Sequence, residues 1–246
     1  MDRMIYLAMS GAKALTQRQD ALSHNLANAE TNGFRADLMA YRAVPARQEG
    51  TATTRVWALE SSAGFDAQSG PLRQTGHALD VAVRGDGWIA VQATDGAEAY
   101  TRDGAFEIGA DGTLQTRRGQ PVLGDGGGPL TVPPNARVSI GSDGTVSATL
   151  EKQPPFEIGR IKLVNPPPAE LRKGTDGLMR AAAGEPVPAD EAVRLADGTL
   201  EGSNVNVVEA MVGMIALARQ FDLQMRMLQT AEGNEQKAAQ LLSING

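Results

Sequence analysis

Asn206-Val207-Val208-Glu209-Ala210-Met211-Val212-Gly213-Met214-Ile215-Ala216-Leu217-Ala218-Arg219-Gln220-Phe221-Asp222-Leu223-Gln224-Met225-Arg226-Met227-Leu228 is the stretch that decides how this chain is built. A seam runs through it in steps of three and four: Val207, Ala210, Met214, Leu217, Phe221, Gln224 and Leu228, continuing through Ala231, Glu235, Ala238 and Leu242. That alternation averages about 3.5 residues and keeps one side of a helix turned toward a partner helix. Asn206 followed by Glu209 forms a capping box that sets the helix start. A helix from there to Leu242 would be about 54 Å long at about 1.5 Å per residue. Beside the seam lies a second apolar stripe, Val208, Met211, Val212, Ile215 and Ala218. One antiparallel partner covers one seam, so two stripes predict a second neighbour that the chain itself does not supply.

The N-terminus carries a matching pattern: Ile5, Ala8, Ala12, Leu15, Gln19, Leu22, Leu26 and Ala29. Asp2 is placed to cap this helix, and Asn32-Gly33 to end it, because both residues tolerate the left-handed conformation of a helix stop. Pairing the two seams brings the termini together and pushes the middle outward as one body. Such a plan suits a subunit that polymerises through its ends.

Composition narrows the function classes. The 246 residues are 41% hydrophobic but only 4% aromatic, so the core must rest on Val, Leu, Ile and Ala. The net charge of −6 argues against a general nucleic-acid or anionic-membrane binder. Positive and negative groups balance within residues 1–40, and residues 203–246 carry a net −1. Near-neutral helices can pack against copies of themselves without strong repulsion. There is no cysteine, hence no disulfide, thiol nucleophile or thiolate metal site. The longest charge-free apolar run, Ala210–Ala218, is about half of what spans a bilayer. Asp2, Ser10, Gly11 and Lys13 fit no cleaved leader, so export, if it occurs, is expected without one.

Between the helices the chain reads as β-strand and turn. Asp-Gly pairs fall at Asp86, Asp95, Asp103, Asp111, Asp125, Asp143, Asp176 and Asp197 and predict two-residue type I′ hairpins. Short alternating runs lie among them at 79–83, 88–92, 105–108, 138–140 and 159–164. Strands of this length and spacing predict an antiparallel sandwich or barrel. Residues 36–75 lack clear periodicity and read as an extended arm with one short strand near Thr54–Leu59.

No chemical signature holds. Gly85-x-Gly87-x-x-Ala90 matches a loose dinucleotide fingerprint, but a strand rather than a helix follows it. Ser10-x-x-Lys13 lies inside a helix and lacks the partner motifs of a penicillin-binding nucleophile. His24 and His77 have no ligand spacing, and no Asp-Gly pair sits in an EF-hand pattern. No catalytic, cofactor-binding or metal residue is assigned, and no cofactor. Were the middle an enzyme or binding module, Asp80, Asp103 and Glu107 would be its candidate polar groups.

The segment Leu22-Ser23-His24-Asn25-Leu26-Ala27-Asn28-Ala29-Glu30-Thr31-Asn32-Gly33-Phe34-Arg35-Ala36 resembles the N-terminal signature of bacterial flagellar rod and hook proteins. The opening Met1–Ala12 is similar to that of the family's proximal-rod members. Further stretches match in order: Arg73–Val83, Gly85–Trp88, Ala99–Gly104 and Leu200-Glu201-Gly202-Ser203-Asn204-Val205-Asn206. His24 departs from the family, which usually shows Asn there. The resemblance implies a structural subunit of the proximal rod, exported unfolded by the flagellar type III apparatus and placed in the periplasm. It implies further copies, other proximal- and distal-rod subunits, the export apparatus and the rod cap as partners. It also implies terminal helices in an inner tube and an outward β-domain. A distal-rod or hook protein remains open, as does a secreted β-domain enzyme or binding module oligomerised by its helices.

The expected class is thus α+β, with long terminal helices pairing as a coiled-coil-like bundle. The expected divisions are an axial helix over 1–35, an arm over 36–78, a β-domain over 79–190, a return over 191–202 and a second axial helix over 203–246. The expected assembly interface is Ile5, Ala8, Ala12, Leu15, Leu22, Leu26, Val207, Ala210, Met214, Leu217, Phe221, Leu228 and Ala231. A fragment of about 36–202 is expected to fold alone, while the ends order only on assembly.

Overall fold

The structure, a computed structural model, describes residues 2–45, 56–151 and 153–244. It is α+β, with one helix at each end and a mostly antiparallel β-rich middle. The chain divides into two compact units. One joins 1–27, 37–64 and 206–246, and the other joins 28–36 and 65–205.

The first unit contains helix α1 (Asp2–Ala27), strands β1 (Asp37–Pro45) and β2 (Val56–Phe65), and helix α2 (Val207–Ile244). Asn206 Oδ1 accepts the N–H groups of Val208 and Glu209 at 3.1 and 3.2 Å, which caps α2 as its sequence predicts. The two helices lie against one another, and two glycines fix their register. A Cβ built on Gly11 would meet the Gln224 side chain at 3.4 Å, and one on Gly213 would meet Leu22 at 3.0 Å. The residue numbers in both pairs add to 235, so the helices run antiparallel in one continuous register.

The segment expected to be an arm with one short strand instead contributes a two-stranded sheet with strands of nine and ten residues. Its start is held by α1. Asn25 donates Nδ2–H to the Asp37 carbonyl at 3.1 Å and accepts the Asp37 N–H at 2.8 Å. His24 Nδ1 lies 2.5 Å from the Asp37 carboxylate. Pairing of the two strands with each other, not local alternation, makes them, which is why periodicity missed them. The expected strand near Thr54–Leu59 lies partly outside the described residues, since 46–55 are not described.

The second unit is a patchwork of small antiparallel sheets rather than one closed surface. A five-stranded sheet has the order Leu163–Val164, Trp88–Gln92, Glu98–Thr101, Met179–Ala181, Leu171–Lys173. Phe156–Arg160, Thr145–Thr149 and Arg137–Ile140 form a three-stranded sheet. Val81–Arg84 pairs with Arg194–Asp197, Leu72–Gln74 with Thr199–Glu201, and Phe106–Ile108 with Leu114–Thr116. The expected run at 159–164 is split: its first part ends one strand and its last part forms another. Residues 194–201, expected as a plain return, supply two of these strands.

Strand Trp88–Gln92 shows why this unit is self-sufficient. Ile89 and Val91 point into one apolar cluster with Val81, Val122, Val146 and Ile161. Trp88 and Ala90 point into another with Phe65, Tyr100, Leu123 and Val164. A strand covered on both faces sits between two cores.

The Asp-Gly turns differ from the expected type. Type I′ needs positive φ at both central residues, yet the only non-glycine with positive φ among the described residues is Asn135. Gly96, Gly112, Gly144 and Gly177 take φ of 80°, 81°, 90° and 81°, each at the last position of a three-residue loop. In each loop the Asp Oδ1 accepts the N–H of the residue after the glycine, Ala97, Thr113, Thr145 or Leu178, at 3.0–3.1 Å. This is a type I turn followed by a left-handed glycine bulge. The carboxylate stabilises the turn from its own side chain, so Asp need not enter the left-handed region.

Candidate assembly interface

The expected interface residues on α2 are divided by burial. Ala210 and Leu217 are buried, Met214 and Leu228 are half-buried, and Val207 and Phe221 remain exposed at 37% and 36%. On α1, Ala12, Leu15, Leu22 and Leu26 are half-buried. The side chains of Ile5, Ala8 and Ala231 lie outside the described ones. Among the described side chains of α1 the most buried are Ala14 and Asn25, one residue round from the expected seam, and Gln19 on that seam is exposed. Gly11 presents no side chain and lets Gln224 of α2 approach closely, while the buried amide of Asn25 is satisfied by Asp37.

The second stripe of α2 is open. Val208, Met211, Val212 and Ile215 are exposed by 70%, 49%, 61% and 57%. Four large apolar side chains on two turns of one helix form a contiguous patch of the kind that marks an interaction surface.

A second feature, within the β-rich unit, was not foreseen. Residues 33–36, 66–70 and 201–204 clasp one another. Gly33 N–H donates to the Glu201 carbonyl at 2.8 Å, Asp66 N–H to Ala36 at 2.8 Å, and Asn204 N–H to Phe34 at 3.3 Å. The Asn204 side chain joins all three segments: Oδ1 accepts the Ala36 N–H at 2.7 Å, and Nδ2 donates to the Asp66 and Gln68 carbonyls at 3.1 and 3.0 Å. Gly33, at φ 66°, has no room for a side chain, because a Cβ would sit inside the Arg102–Asp103 backbone. Asn32-Gly33 therefore serves the clasp, and α1 ends earlier, at Ala27.

Under the clasp lies a buried ionic group. Arg35 Nη2 is 2.7 Å and Arg102 Nη1 3.0 Å from the two oxygens of Glu201, with all three side chains at 3% exposure or less. Gly70 N–H also donates to Glu201 Oε1 at 2.9 Å, and Arg102 Nη2 donates to the Gly85 carbonyl at 2.8 Å. Both guanidinium groups stack on Trp88, at 5.7 and 5.4 Å from its ring centre. Two cations against one carboxylate leave the group at net +1. Burial accordingly lowers the Arg102 pKa, against the pull of Glu201, and Arg35 pushes the same way as burial. Nε of Arg102 and Nε, Nη1 and Nη2 of Arg35 make no hydrogen bond. Arg35, Arg102 and Glu201 each fall within a different stretch that carries the resemblance. A charged residue inside each of three matched motifs was the available signal.

The residues weighed for chemistry serve turns and strands. Asp80 accepts the Thr75 hydroxyl at 2.7 Å, Asp103 accepts the Ala105 N–H at 3.1 Å, and Glu107 accepts from Gln115 at 3.0 Å. Among the described residues no three His, Asp or Glu side chains converge as for a metal, and no helix is long and apolar enough to cross a membrane.

Three family models match. Residues 5–35 match the flagella basal body rod protein model, 82–148 the flagellar hook protein FlgE/F/G D1 domain, and 196–241 the flagellar basal body rod FlgEFG protein C-terminal model. The outer two contain the helices with Arg35 and Glu201, and the middle one contains Trp88 and Arg102. The chain is 45% identical over 254 residues to the flagellar basal-body rod protein FlgF of Salmonella typhimurium, with both chains covered fully. It is 43% identical over 255 residues to FlgF of Escherichia coli, again over 100% of each, and 34% identical over 252 residues to FlgF of Caulobacter vibrioides, also over 100% of each. With helices, β-rich middle and clasp all inside the matched length, the chain belongs to the flagellar basal-body rod proteins, structural subunits of the bacterial flagellum and not enzymes.

Proposed function

We propose that this chain is a subunit of the proximal rod that polymerises through its two terminal helices, and that it contributes to the axial shaft carrying torque for motility. The exposed stripe Val208, Met211, Val212 and Ile215 carries this reading, because α1 leaves it uncovered and water is a poor solvent for it. Neighbouring rod subunits would supply the missing cover. Coiled-coil pairing of α1 with α2 then makes Ile5, Ala8, Ala12, Leu15, Leu22 and Leu26 one half of the packed seam. Val207, Ala210, Met214, Leu217, Phe221, Leu228 and Ala231 make the other. Similarity to FlgF over full length favours the proximal rod over the distal rod or hook.

The same reading has the chain exported unfolded by the flagellar type III apparatus without cleavage and assembled in the periplasm under a rod cap. Helices with an unpaired apolar face gain little from folding alone and order when neighbours arrive. Exchange of Ile215 for Asp tests it. A carboxylate in a buried slot costs several kcal/mol, repeated in every copy. Ile215→Asp should therefore leave the β-rich unit folded and the protein exportable, but block rod completion and swimming. Normal swimming by a strain with the altered protein in its rods would refute the assignment of this stripe.

A further inference from the structure

We propose that Asp125 is a modification site: the pair Asp125-Gly126 is where this folded chain converts aspartate to isoaspartate, a change that its seven other Asp-Gly pairs resist.

The reaction needs a free backbone nitrogen next to a free carboxyl. Gly126 N attacks Asp125 Cγ and gives up its proton; a C–N bond forms, and the carboxyl hydroxyl takes that proton and leaves as water. A second water then opens the cyclic imide. Entry at Cγ restores aspartate. Entry at the main-chain carbonyl carbon of Asp125 breaks the original peptide C–N bond and leaves the chain running through Cγ. One water leaves and one enters, so nothing is oxidised or reduced. Glycine suits the ring because it has no Cβ to crowd it.

Four pairs withhold both reacting groups. Gly96, Gly112, Gly144 and Gly177 donate their N–H to the carbonyls of Ala93, Gly109, Gly141 and Gly174 at 2.9–3.1 Å. The Asp before each is tied through Oδ1 to the residue after the glycine. Three more are walled in or pinned. Asp103 accepts the Ala105 N–H, and a Cβ on Gly104 would sit 1.9 Å from the Val81 carbonyl oxygen. A Cβ on Gly87 would meet Val193 at 2.8 Å, and Gly198 accepts the Thr75 and Gly76 N–H groups at 2.7 and 3.0 Å. The amide pair Asn32-Gly33, open to the same attack, is held by the clasp, where Gly33 N–H donates to Glu201 at 2.8 Å.

Asp125-Gly126 escapes through a shift of one residue. Residues 124–128 close the same three-residue loop, with Gly124 N–H on the Gly128 carbonyl and Gly127 N–H on the Gly124 carbonyl, both at 2.8 Å. Here Asp is the first loop residue instead of the middle one. The turn bond therefore falls on Gly127, and among the described residues Gly126 N–H has no partner. The Asp125 side chain is 42% exposed, and Arg160 Nε stands 3.9 Å from its carboxylate, beyond hydrogen-bond reach. A Cβ on Gly126, Gly127 or Gly128 would meet nothing within 4 Å, so the loop has room to bring Cγ onto the nitrogen.

Trypsin separates the sites to be compared: residues 119–137 contain Asp125 as their only Asp, and residues 138–152 contain Asp143 as theirs. The full-length protein is aged at neutral pH in heavy-oxygen water, digested and fragmented, so that both the incorporated oxygen and the isoaspartate are located by residue. Asp125 should react about tenfold faster than Asp143, the factor gained by sparing the attacking N–H one hydrogen bond. In urea, where both loops are open, the two rates should converge. The exchange Asp125→Gly/Gly126→Asp keeps an Asp-Gly pair but moves it to the middle of the loop, where Gly127 N–H is already donated. With an unchanged circular dichroism spectrum, the moved aspartate should slow to the rate of Asp143. Equal rates at Asp125 and Asp143 in the folded protein, or faster reaction at any other Asp-Gly pair, overturn the proposal. So does a moved aspartate that still reacts as fast as Asp125. The same difference persisting in urea would place its cause in the neighbouring residues and not in the loop, and also rejects it.

Discussion

The β-rich unit and the helical unit treat apolar surface in opposite ways. In the former, Ile89, Val91, Val122 and Ile161 are wholly buried within the chain's own core. In the latter, α2 leaves Val208, Val212 and Ile215 more than half exposed, although α1 lies along it. One unit covers its apolar side chains with its own chain, and the other leaves an apolar stripe open. Under the proposed function, stability and assembly are assigned to separate parts of this chain. A change in one should therefore leave the other intact.

The largest expected effect tests the completeness of the β-rich unit through its buried ion group. Removing Glu201 leaves two buried guanidinium groups without a counter-charge, whereas removing Arg35 leaves the neutral Arg102–Glu201 pair. Glu201→Gln should cost roughly 3–5 kcal/mol in urea unfolding of a fragment spanning 28–205. Arg35→Met should cost less than about 1.5 kcal/mol, because the methionine refills apolar space and a paired charge remains. The reverse order would mean that packing, not charge balance, governs this site. The same geometry corrects the expected fragment boundary. A piece starting at 36 and ending at 202 lacks Gly33–Arg35 and Asn204, hence most of the clasp.

A middling effect tests the incompleteness of the helices. Asn206→Ala removes the cap of α2 and should weaken that helix by about 1 kcal/mol. Hydrogen exchange in dilute monomer should then be faster in the first turns of α2 and unchanged in Trp88–Gln92. Faster exchange in the strand as well would mean that the two units are energetically coupled.

The smallest effect concerns acid. Asp176 is held below the ordinary carboxylate value first by its hydrogen bond from Arg180, at 2.7 and 2.8 Å. A folded-state pKa below the unfolded value of 3.8 gives stability that is present above that pH and is lost as pH falls through the folded value. The 28–205 fragment should therefore lose slightly more stability between neutral pH and pH 3 than its Asp176→Asn variant. Equal losses would show that this turn contributes nothing to acid sensitivity.

How much of this was legible in the sequence depended on how local its cause was. Both helices were, because a 3/4 repeat and an Asn206 cap are written within a few residues of where they act. Strands Val81–Arg84 and Trp88–Gln92 were equally plain, since each alternates between turn signals. The two-stranded sheet of β1 and β2 was not, because its Ala, Ser, Asp and Glu residues carry little strand preference and no clean alternation marks the pairing. The turn type was misread because Asp-Gly serves two hairpin geometries and only backbone angles separate them. On α1, Ala14 and Asn25 are buried one residue from the expected seam, and Gly11 approaches Gln224 through smallness, which a hydrophobic pattern does not register. The only sign of the Arg35–Glu201–Arg102 group was a charged residue in each of three separate motifs, and nothing local joined them.

That last group also sets a timetable. Its members sit at positions 35, 102 and 201 of 246, so the contact closes only after four-fifths of the chain is available. For a polypeptide that emerges amino end first, from a ribosome or through a narrow channel, the early guanidinium must wait, hydrated, for its late carboxylate. Until position 201 arrives, the clasp has one side and the β-rich unit cannot close. A chain that did pass through such a channel would thus carry a built-in delay, threadable for most of the passage and able to set only near the end.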